Sequence, residues 1–361
     1  MSDQVYRDMI DVMNKRGALF GGMDIPEFYR MAKALFTPEE AEINNAMPRG
    51  AFTASDLADK MGRDETEMAA RLKSMAEKGL CVSYLKDGTR LFRAAPFMPG
   101  IFEFVFYRGK DTEYDKKLAR YIHEYKQAWE ARSPVTVPYP VQRIITVDET
   151  VEPGNKVHTY DQVKSYIETN DTIAVGRCYC RHGALLRGED IHGMPLDTCI
   201  FFGRNAEFGI DCLGARKVTR EEVLKLLNDC EEVGLVHQTQ NVAHGISYLC
   251  NCDRWHCYAL KIALRQPYPS RILNSGFEPR FDADLCAACE TCIDRCPAEA
   301  LAMGDDDLPQ VDLNRCLGCA VCATGCPNEA IKMVSKPEFE EPPRDTKALR
   351  EAMIASFTKQ A

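Results

Sequence analysis

Eight cysteines in two matching runs constrain this chain more than any other feature. The stretch from Asp282 to Met333 reads D-A-D-L-C-A-A-C-E-T-C-I-D-R-C-P, then a spacer, then D-L-N-R-C-L-G-C-A-V-C-A-T-G-C-P. The halves repeat with a period of thirty: Asp282 answers Asp312, and Cys286, Cys289, Cys292, Cys296 and Pro297 answer Cys316, Cys319, Cys322, Cys326 and Pro327. Beyond the prolines, Glu299-Ala300-Leu301 answers Glu329-Ala330-Ile331. Each half is a C-x-x-C-x-x-C-x-x-x-C-P run. That spacing wraps three thiolates round one iron–sulfur cube and sends the fourth cysteine to the other cube. It assigns Cys286, Cys289, Cys292 and Cys326 to one [4Fe–4S] cluster, and Cys316, Cys319, Cys322 and Cys296 to a second. The competing reading is a zinc-binding or disulfide-bonded cluster. Zinc sites favour paired C-x-x-C units with a longer gap and no triple run.

Over roughly residues 278–334 these motifs resemble the bacterial two-[4Fe–4S] ferredoxin module. The resemblance implies a ferredoxin-like domain and electron transfer.

The chain has 361 residues, with a net charge of −9 and a pI near 5.4. Such a balance argues against a general nucleic-acid binder and against a basic membrane-surface protein. No apolar run approaches the roughly eighteen residues of a membrane span. The N-terminus, M-S-D-Q-V-Y-R-D-M-I, has neither a basic segment followed by an apolar core nor a twin-arginine signal. A cytoplasmic protein without direct membrane insertion is expected, and its seventeen cysteines then point to metal rather than to disulfides.

Upstream, residues 1–36 read as two short helices broken at Gly21-Gly22 and Pro26. Thr37-Pro38-Glu39-Glu40 opens a helix, Thr53-Ala54-Ser55-Asp56 is a capping box, and Asp64-x-x-Glu67 starts a longer helix with Met68, Leu72, Met75 and Ala76 on one face. A hairpin around Asp87-Gly88 follows. Three helices and a wing resemble a winged helix-turn-helix domain. The would-be recognition helix carries Asp64, Glu65, Glu67 and Glu77 against Arg71, Lys73 and Lys78. A DNA reader needs cations there, so protein docking is expected and nucleic acid is not. Cys81 reads as core. The aromatic stretch 94–109 reads as a buried segment locking this domain to the next. A helix from Asp111 to Arg132 carries a Tyr114, Leu118, Tyr121, Ile122, Tyr125, Trp129 stripe, and Pro134 to Pro140 is a linker.

Residues 141–270 look α/β, with strands at Val141–Val147 and Thr172–Val175 and a helix at Tyr160–Thr169. The second strand runs into a loop bearing Cys178-Tyr179-Cys180, and Cys199 follows. After a capped helix from Thr219 with Cys230 in its core face, a strand near Ile246–Leu249 delivers Cys250-Asn251-Cys252, with Cys257 beyond. Cys178, Cys180, Cys199, Cys250, Cys252 and Cys257 are six candidate metal ligands, too many for one cube and two short of a pair. Cys212 is a candidate seventh. His182, His237, His244 and His256 lie close by, and Arg177, Arg181 and Arg254 offer positive charge. At least one further [4Fe–4S] cluster is the favoured reading; zinc, which tolerates C-x-C, and inert thiols are the alternatives.

The whole chain resembles multidomain iron–sulfur electron-transfer proteins of anaerobic bacteria with an N-terminal winged-helix domain. The expected fold is α+β and multidomain: a helical and winged-helix domain (1–110), a helix and Pro-rich linker (111–140), a central α/β cysteine-rich domain (141–275), a ferredoxin-like two-[4Fe–4S] domain (276–336), and an acidic, Pro-rich linker with a C-terminal helix (337–361). That last helix, Thr346 to Phe357, sets Leu349, Met353 and Phe357 on one side. The expected function is one-electron relay as a subunit or dedicated partner of a larger redox enzyme complex, with a homodimer of unassigned interface as a further reading. A redox-sensing regulator and an oxidoreductase with a catalytic central cluster are the alternatives. No dinucleotide fingerprint, P-loop or Ser/His/Asp set stands out.

Overall fold

Capping chemistry decides where the N-terminal helices begin. The computed structural model describes residues 2–17, 20–132, 139–153, 163–337 and 339–358. It divides into two units: Met1–Val135 with Ala174–Ile191 and Arg204–Lys217, and Thr136–Ile173 with His192–Gly203 and Val218–Ala361.

In the first unit, α1 (Ser2–Arg16) and α2 (Pro26–Leu35) precede α3 (Pro38–Ala46). The Thr37 hydroxyl accepts from the Glu40 N–H at 3.2 Å while the Glu40 carboxylate accepts from the Thr37 N–H at 2.9 Å. This reciprocal pair satisfies two donors a helix start leaves open. The same box at Thr53 and Asp56 opens α4 (Ala54–Met61), after the short β1 (Ala51–Phe52), and Gly62 in the left-handed region closes it. Next come α5 (Glu65–Glu77) and a hairpin of β2 (Cys81–Lys86) and β3 (Thr89–Ala94). Its turn residues Asp87 and Gly88 both have positive φ, the geometry that matches strand twist. The sheet order is β1-β3-β2. Met68, Leu72, Met75 and Ala76 of α5 are buried as the pattern requires, and so is Cys81.

The aromatic stretch forms α6 (Ile101–Tyr107) and packs with α7 (Glu113–Arg132). Phe97 stacks on Phe102 at 5.1 Å, and Tyr125 meets Phe28 edge-on at 5.7 Å. Each such ring contributes about 1.5–3 kcal/mol by burial. Leu118, Ile122 and Tyr125 of the stripe are buried, but Tyr114 is exposed and donates to the Ala34 carbonyl at 2.6 Å. The unit also holds α9 (Tyr179–Leu186), α10 (Gly203–Cys212) and the pair β5 (Ile173–Gly176) and β7 (Arg216–Lys217). Among these only β5 and the cysteines around it were expected; the ten-residue α10 was not.

The second unit is built on antiparallel strands in the order β4 (Gln142–Ile144), β8 (Val236–Gln240), β9 (Tyr248–Cys252), β6 (Cys199–Phe202). Helices α8 (Val163–Thr169), α11 (Arg220–Glu232) and α12 (Tyr258–Leu264) join it. Residues 133–138 of the expected linker and 154–162 before α8 lie outside the described residues. The antiparallel pairing departs from an alternating α/β reading. Two placements also differ. Cys178 is the N-cap of α9 and Cys180 sits in its first turn rather than on a loop; Cys250 and Cys252 lie inside β9, not beyond a strand ending at Leu249. The second C-x-C stays in the strand because β8 pairs with it through to Cys252.

The C-terminal part of this unit folds as two interleaved halves. Strand β10 (Phe277–Phe281), helix α13 (Thr291–Arg295) and β11 (Leu301–Met303) come first; β12 (Pro309–Val311), α14 (Val321–Thr324) and β13 (Ile331–Ser335) follow. Each sheet pairs a strand of one half with a strand of the other, β10 with β13 and β11 with β12. The tail lies back on the unit: Ala243 and His244 donate to the carbonyls of Pro343 and Arg344 at 2.8 and 3.0 Å, and Leu349 of α15 (Thr346–Thr358) is buried.

Candidate iron–sulfur centres

The period of thirty is written into the backbone as well as into the cysteines. Ala288 and Gly318, Glu290 and Ala320, and Glu299 and Glu329 all have positive φ at corresponding places. Asp282 and Asp312 each accept from the N–H two residues on, at 2.9 Å. Cys286 and Cys316 donate their N–H to the carbonyls of those aspartates at 3.0 and 2.9 Å. Cross-links close the pair: the Asp282 N–H donates to Ala330 and the Asp312 N–H to Ala300, both at 2.8 Å. Repeated turns of this kind fold each C-x-x-C-x-x-C segment back on itself.

Two cavities result. Cys286, Cys289, Cys292 and Cys326 line one, together with Ile331 and Pro327. Cys296, Cys316, Cys319 and Cys322 line the other, with Leu317 and Met333. None of these eight is in a disulfide. The fourth cysteine of each run thus stands with three from the other run, the exchange its spacing predicts. Backbone amides point at sulfur: Ala300 N–H donates to Cys296 Sγ and Ala330 N–H to Cys326 Sγ, both at 3.3 Å. Such donors stabilise anionic sulfur, and with an apolar surround they set a cluster's potential. The donor set, the cavities and the amides fit a cube in each place.

The two quartets differ in exposure. In the first, Cys289 is exposed and Cys286 and Cys326 are half-buried; in the second, Cys296, Cys316 and Cys322 are buried. Hydrogen bonds from Thr291 hold the Cys289 thiol below its ordinary range. Burial pushes Cys292, Cys316 and Cys322 up. The second quartet's loop is clamped, because Thr146 and Ser275 hydroxyls donate to the Gly318 carbonyl at 2.8 and 2.7 Å.

A third group of thiols lies in the β8-β9-β6 sheet. Cys250 and Cys252 share one face of β9, as residues two apart must. Antiparallel register sets Gln238 of β8 opposite Cys250. Ile200 pairs with Leu249 across β9 and β6, so one step further Cys199 faces Cys250. The Cys250 thiol hydrogen-bonds with those of Cys199 and Cys252, and the contact with Cys199, together with burial, pushes it well above its ordinary range. Cys257, the N-cap of α12, completes the group: Gln238 Nε2 donates to Cys252 Sγ at 2.9 Å and to Cys257 Sγ at 3.0 Å. Gln238 is buried, and its Oε1 finds no hydrogen-bond partner among the described residues. An orphaned acceptor costs about 1–3 kcal/mol, which two donations to charged sulfur would offset. Sequence reasoning missed Gln238, since V-H-Q-T-Q carries no apolar alternation.

The remaining candidates stand differently. Cys178 and Cys180 belong to the first unit, where Cys180 feels the buried Glu103 and the half-buried Lys126. Cys212 is also there and accepts from Lys73 Nζ at 3.5 Å. Cys230 is core. The histidines have other partners: His182 Nδ1 meets the Phe106 carbonyl at 3.0 Å, His237 bridges Asn251 and Glu231, and His256 Nδ1 meets Asp253 at 3.0 Å. His244 is exposed. Arg254 pairs with Glu299, in the turn after Cys296, and Arg177 reaches the Gly109 carbonyl at 3.4 Å. Arg181 is almost wholly buried. No group of three or more His, Cys, Asp or Glu among the described residues is arranged to hold a single metal ion.

Residues 279–331 match the family model of the 4Fe-4S dicluster domain. This part of the chain is a ferredoxin-type domain that binds [4Fe–4S], and it supports iron–sulfur electron transfer. No curated protein and no solved structure matches the chain. Among the described residues no helix is long and apolar enough to cross a membrane.

Proposed function

We propose that the protein relays single electrons through two ferredoxin-type [4Fe–4S] clusters and a further central one, as a subunit or dedicated partner of a larger cytoplasmic redox enzyme complex. The first cluster is held by Cys286, Cys289, Cys292 and Cys326, the second by Cys296, Cys316, Cys319 and Cys322. The observation that carries this reading is the sorting of eight repeat cysteines into two four-cysteine cavities. Each bound cluster supplies one-electron exchange at nearly fixed geometry; the chain's own residues shield it, donate amide hydrogens to its sulfurs and expose one edge of the first site. The division at 1–110, 111–140, 141–275, 276–336 and 337–361 is the domain scheme we propose.

The N-terminal module is read as a winged helix used for docking rather than for DNA. Its order of helices, short β1 and hairpin supports that. So does the occupation of its cations. Lys73 of α5 and Arg90 of β3 both pair with Asp211, at 3.0 and 2.7 Å, and Arg71 pairs with Glu39 at 2.8 Å. Arg204 stacks on the Tyr84 ring at 5.5 Å. The helix and wing that would face phosphate are engaged by residues 204–212 of the same unit.

The test is iron content of the full-length chain, purified without oxygen, in Cys286→Ser and Cys316→Ser variants. Each is expected to lose about four irons, the complement of one cube. Loss of all iron signals from both quartets in either variant, or of none, would contradict two separate sites.

A further inference from the structure

The thiols of the sheet form a set of their own. From Cys199 through Cys250 to Gln238 they make a row across three adjacent strands, with Cys252 next along the same face and Cys257 at the following helix start. We propose that Cys199, Cys250, Cys252 and Cys257 together hold one further [4Fe–4S] cluster and that Gln238 is a positioning residue that tunes it by donating to two of its sulfurs. This deepens the relay reading and rests on it.

Two observations favour a cube here. The number of thiols is the four that a fully ligated cube takes, which resolves the surplus of six that spacing alone leaves. And Gln238 spends both amide hydrogens on sulfur while buried to 1% exposure, with its Oε1 unsatisfied. An amide is placed that way to serve anionic sulfur.

The site also has a neighbour. Cys252 and Cys257, with Cys250 packed against them, belong to one continuous packed cluster that also takes in Cys296, Cys316 and Cys322 of the second quartet and Cys292 of the first. Arg254, two residues beyond Cys252, pairs with Glu299 in the turn after Cys296. Arg295 donates to the carbonyls of Glu231, Glu232 and Val321. The first site is thus the exposed one, and most cysteines of the second and third are buried. With all four ligands supplied by thiols, the third has no iron left open for a substrate, so it serves as a relay point and not as a catalytic centre.

The experiment counts iron, zinc and acid-labile sulfide per polypeptide in full-length protein prepared without oxygen, with a potentiometric EPR titration. Wild type is expected to carry about twelve irons, and Cys250→Ser and Cys252→Ser about eight with both ferredoxin signals kept. Cys178→Ser combined with Cys180→Ser should keep about twelve. Gln238→Leu should keep its iron and move only the third signal to lower potential. About eight irons with one zinc in wild type would overturn the proposal and leave the two-cluster relay standing. Fewer than about eight irons would overturn both. Loss of the third signal in the Cys178/Cys180 variant, or an unmoved potential in Gln238→Leu, would overturn the ligand set or the role of Gln238 respectively.

Discussion

Gly318 and Ala288 occupy equivalent turns one period apart, and both have positive φ, +70° and +53°. Only the first is crowded. A Cβ on Gly318 would lie 2.2 Å from the Phe277 carbonyl oxygen and 2.3 Å from Ser275 Oγ. Gly318→Ala is therefore expected to lose the second cluster and about four irons, whereas Ala288→Gly should range from neutral to about 1 kcal/mol stabilising. Iron content and denaturant melts of the two variants check this. Glu103 makes a second residue-scale case. Burial pushes its carboxyl up to about 8, although it accepts from the Gly100 N–H at 2.7 Å. A folded pKa above the unfolded value of 4.5 means stability that is full below that pH and declines as pH rises toward about 8. Glu103→Gln keeps an acceptor for Gly100, so its stability should fall less between pH 5 and 8 in urea melts; an unchanged slope would count against the assignment. The two quartets were legible in sequence because a cube would impose their spacing locally. Gln238 was not, because it meets Cys252 and Cys257 only when β8 pairs with β9.

At the scale of elements, caps were the most readable signals: Thr37, Thr53 and Thr219 each open a helix where their side chains meet the N–H three residues on. The strand β8 was invisible, since His237, Gln238 and Thr239 are buried polar residues, and His237 and Thr239 are satisfied by hydrogen bonds across the sheet rather than by apolar contact. The engagement of α5 and β3 by α10 was equally hidden, being a contact between segments over a hundred residues apart. It makes a prediction. Asp211→Ala releases Lys73 and Arg90 together and should cost about 0.5–1 kcal/mol, the modest value of partly exposed pairs. A double-mutant cycle with Lys73→Ala should recover part of that as coupling. If helix and wing are spent on docking, the wild-type chain should leave labelled duplex DNA unretarded at low salt in a gel-shift assay; a salt-sensitive shift would restore the regulator reading.

Taken as a whole, the molecule grades its cysteines from exposed to interior. The first quartet presents Cys289 to solvent, the second keeps three of four cysteines buried, and of the sheet thiols Cys199, Cys252 and Cys257 are buried. A cluster at an exposed edge is the one an external partner reaches first and the one an oxidant strips first. Titration of the loaded protein with ferricyanide should therefore bleach the first cluster before the second, with the order read from Cys286→Ser and Cys316→Ser controls. The C-terminal fold was legible because the repeat specifies it twice; the middle was not, because its thiols are gathered by strand register across distant segments. The central claim is that the repeat forms two separate one-electron centres. Spin integration of the EPR spectrum of the reduced full-length chain tests this most directly. Two or more interacting half-integer spins per chain are expected, with about one lost when either quartet is substituted. A chain with no reducible centre, or with fewer than about two spins when fully loaded and reduced, would contradict it.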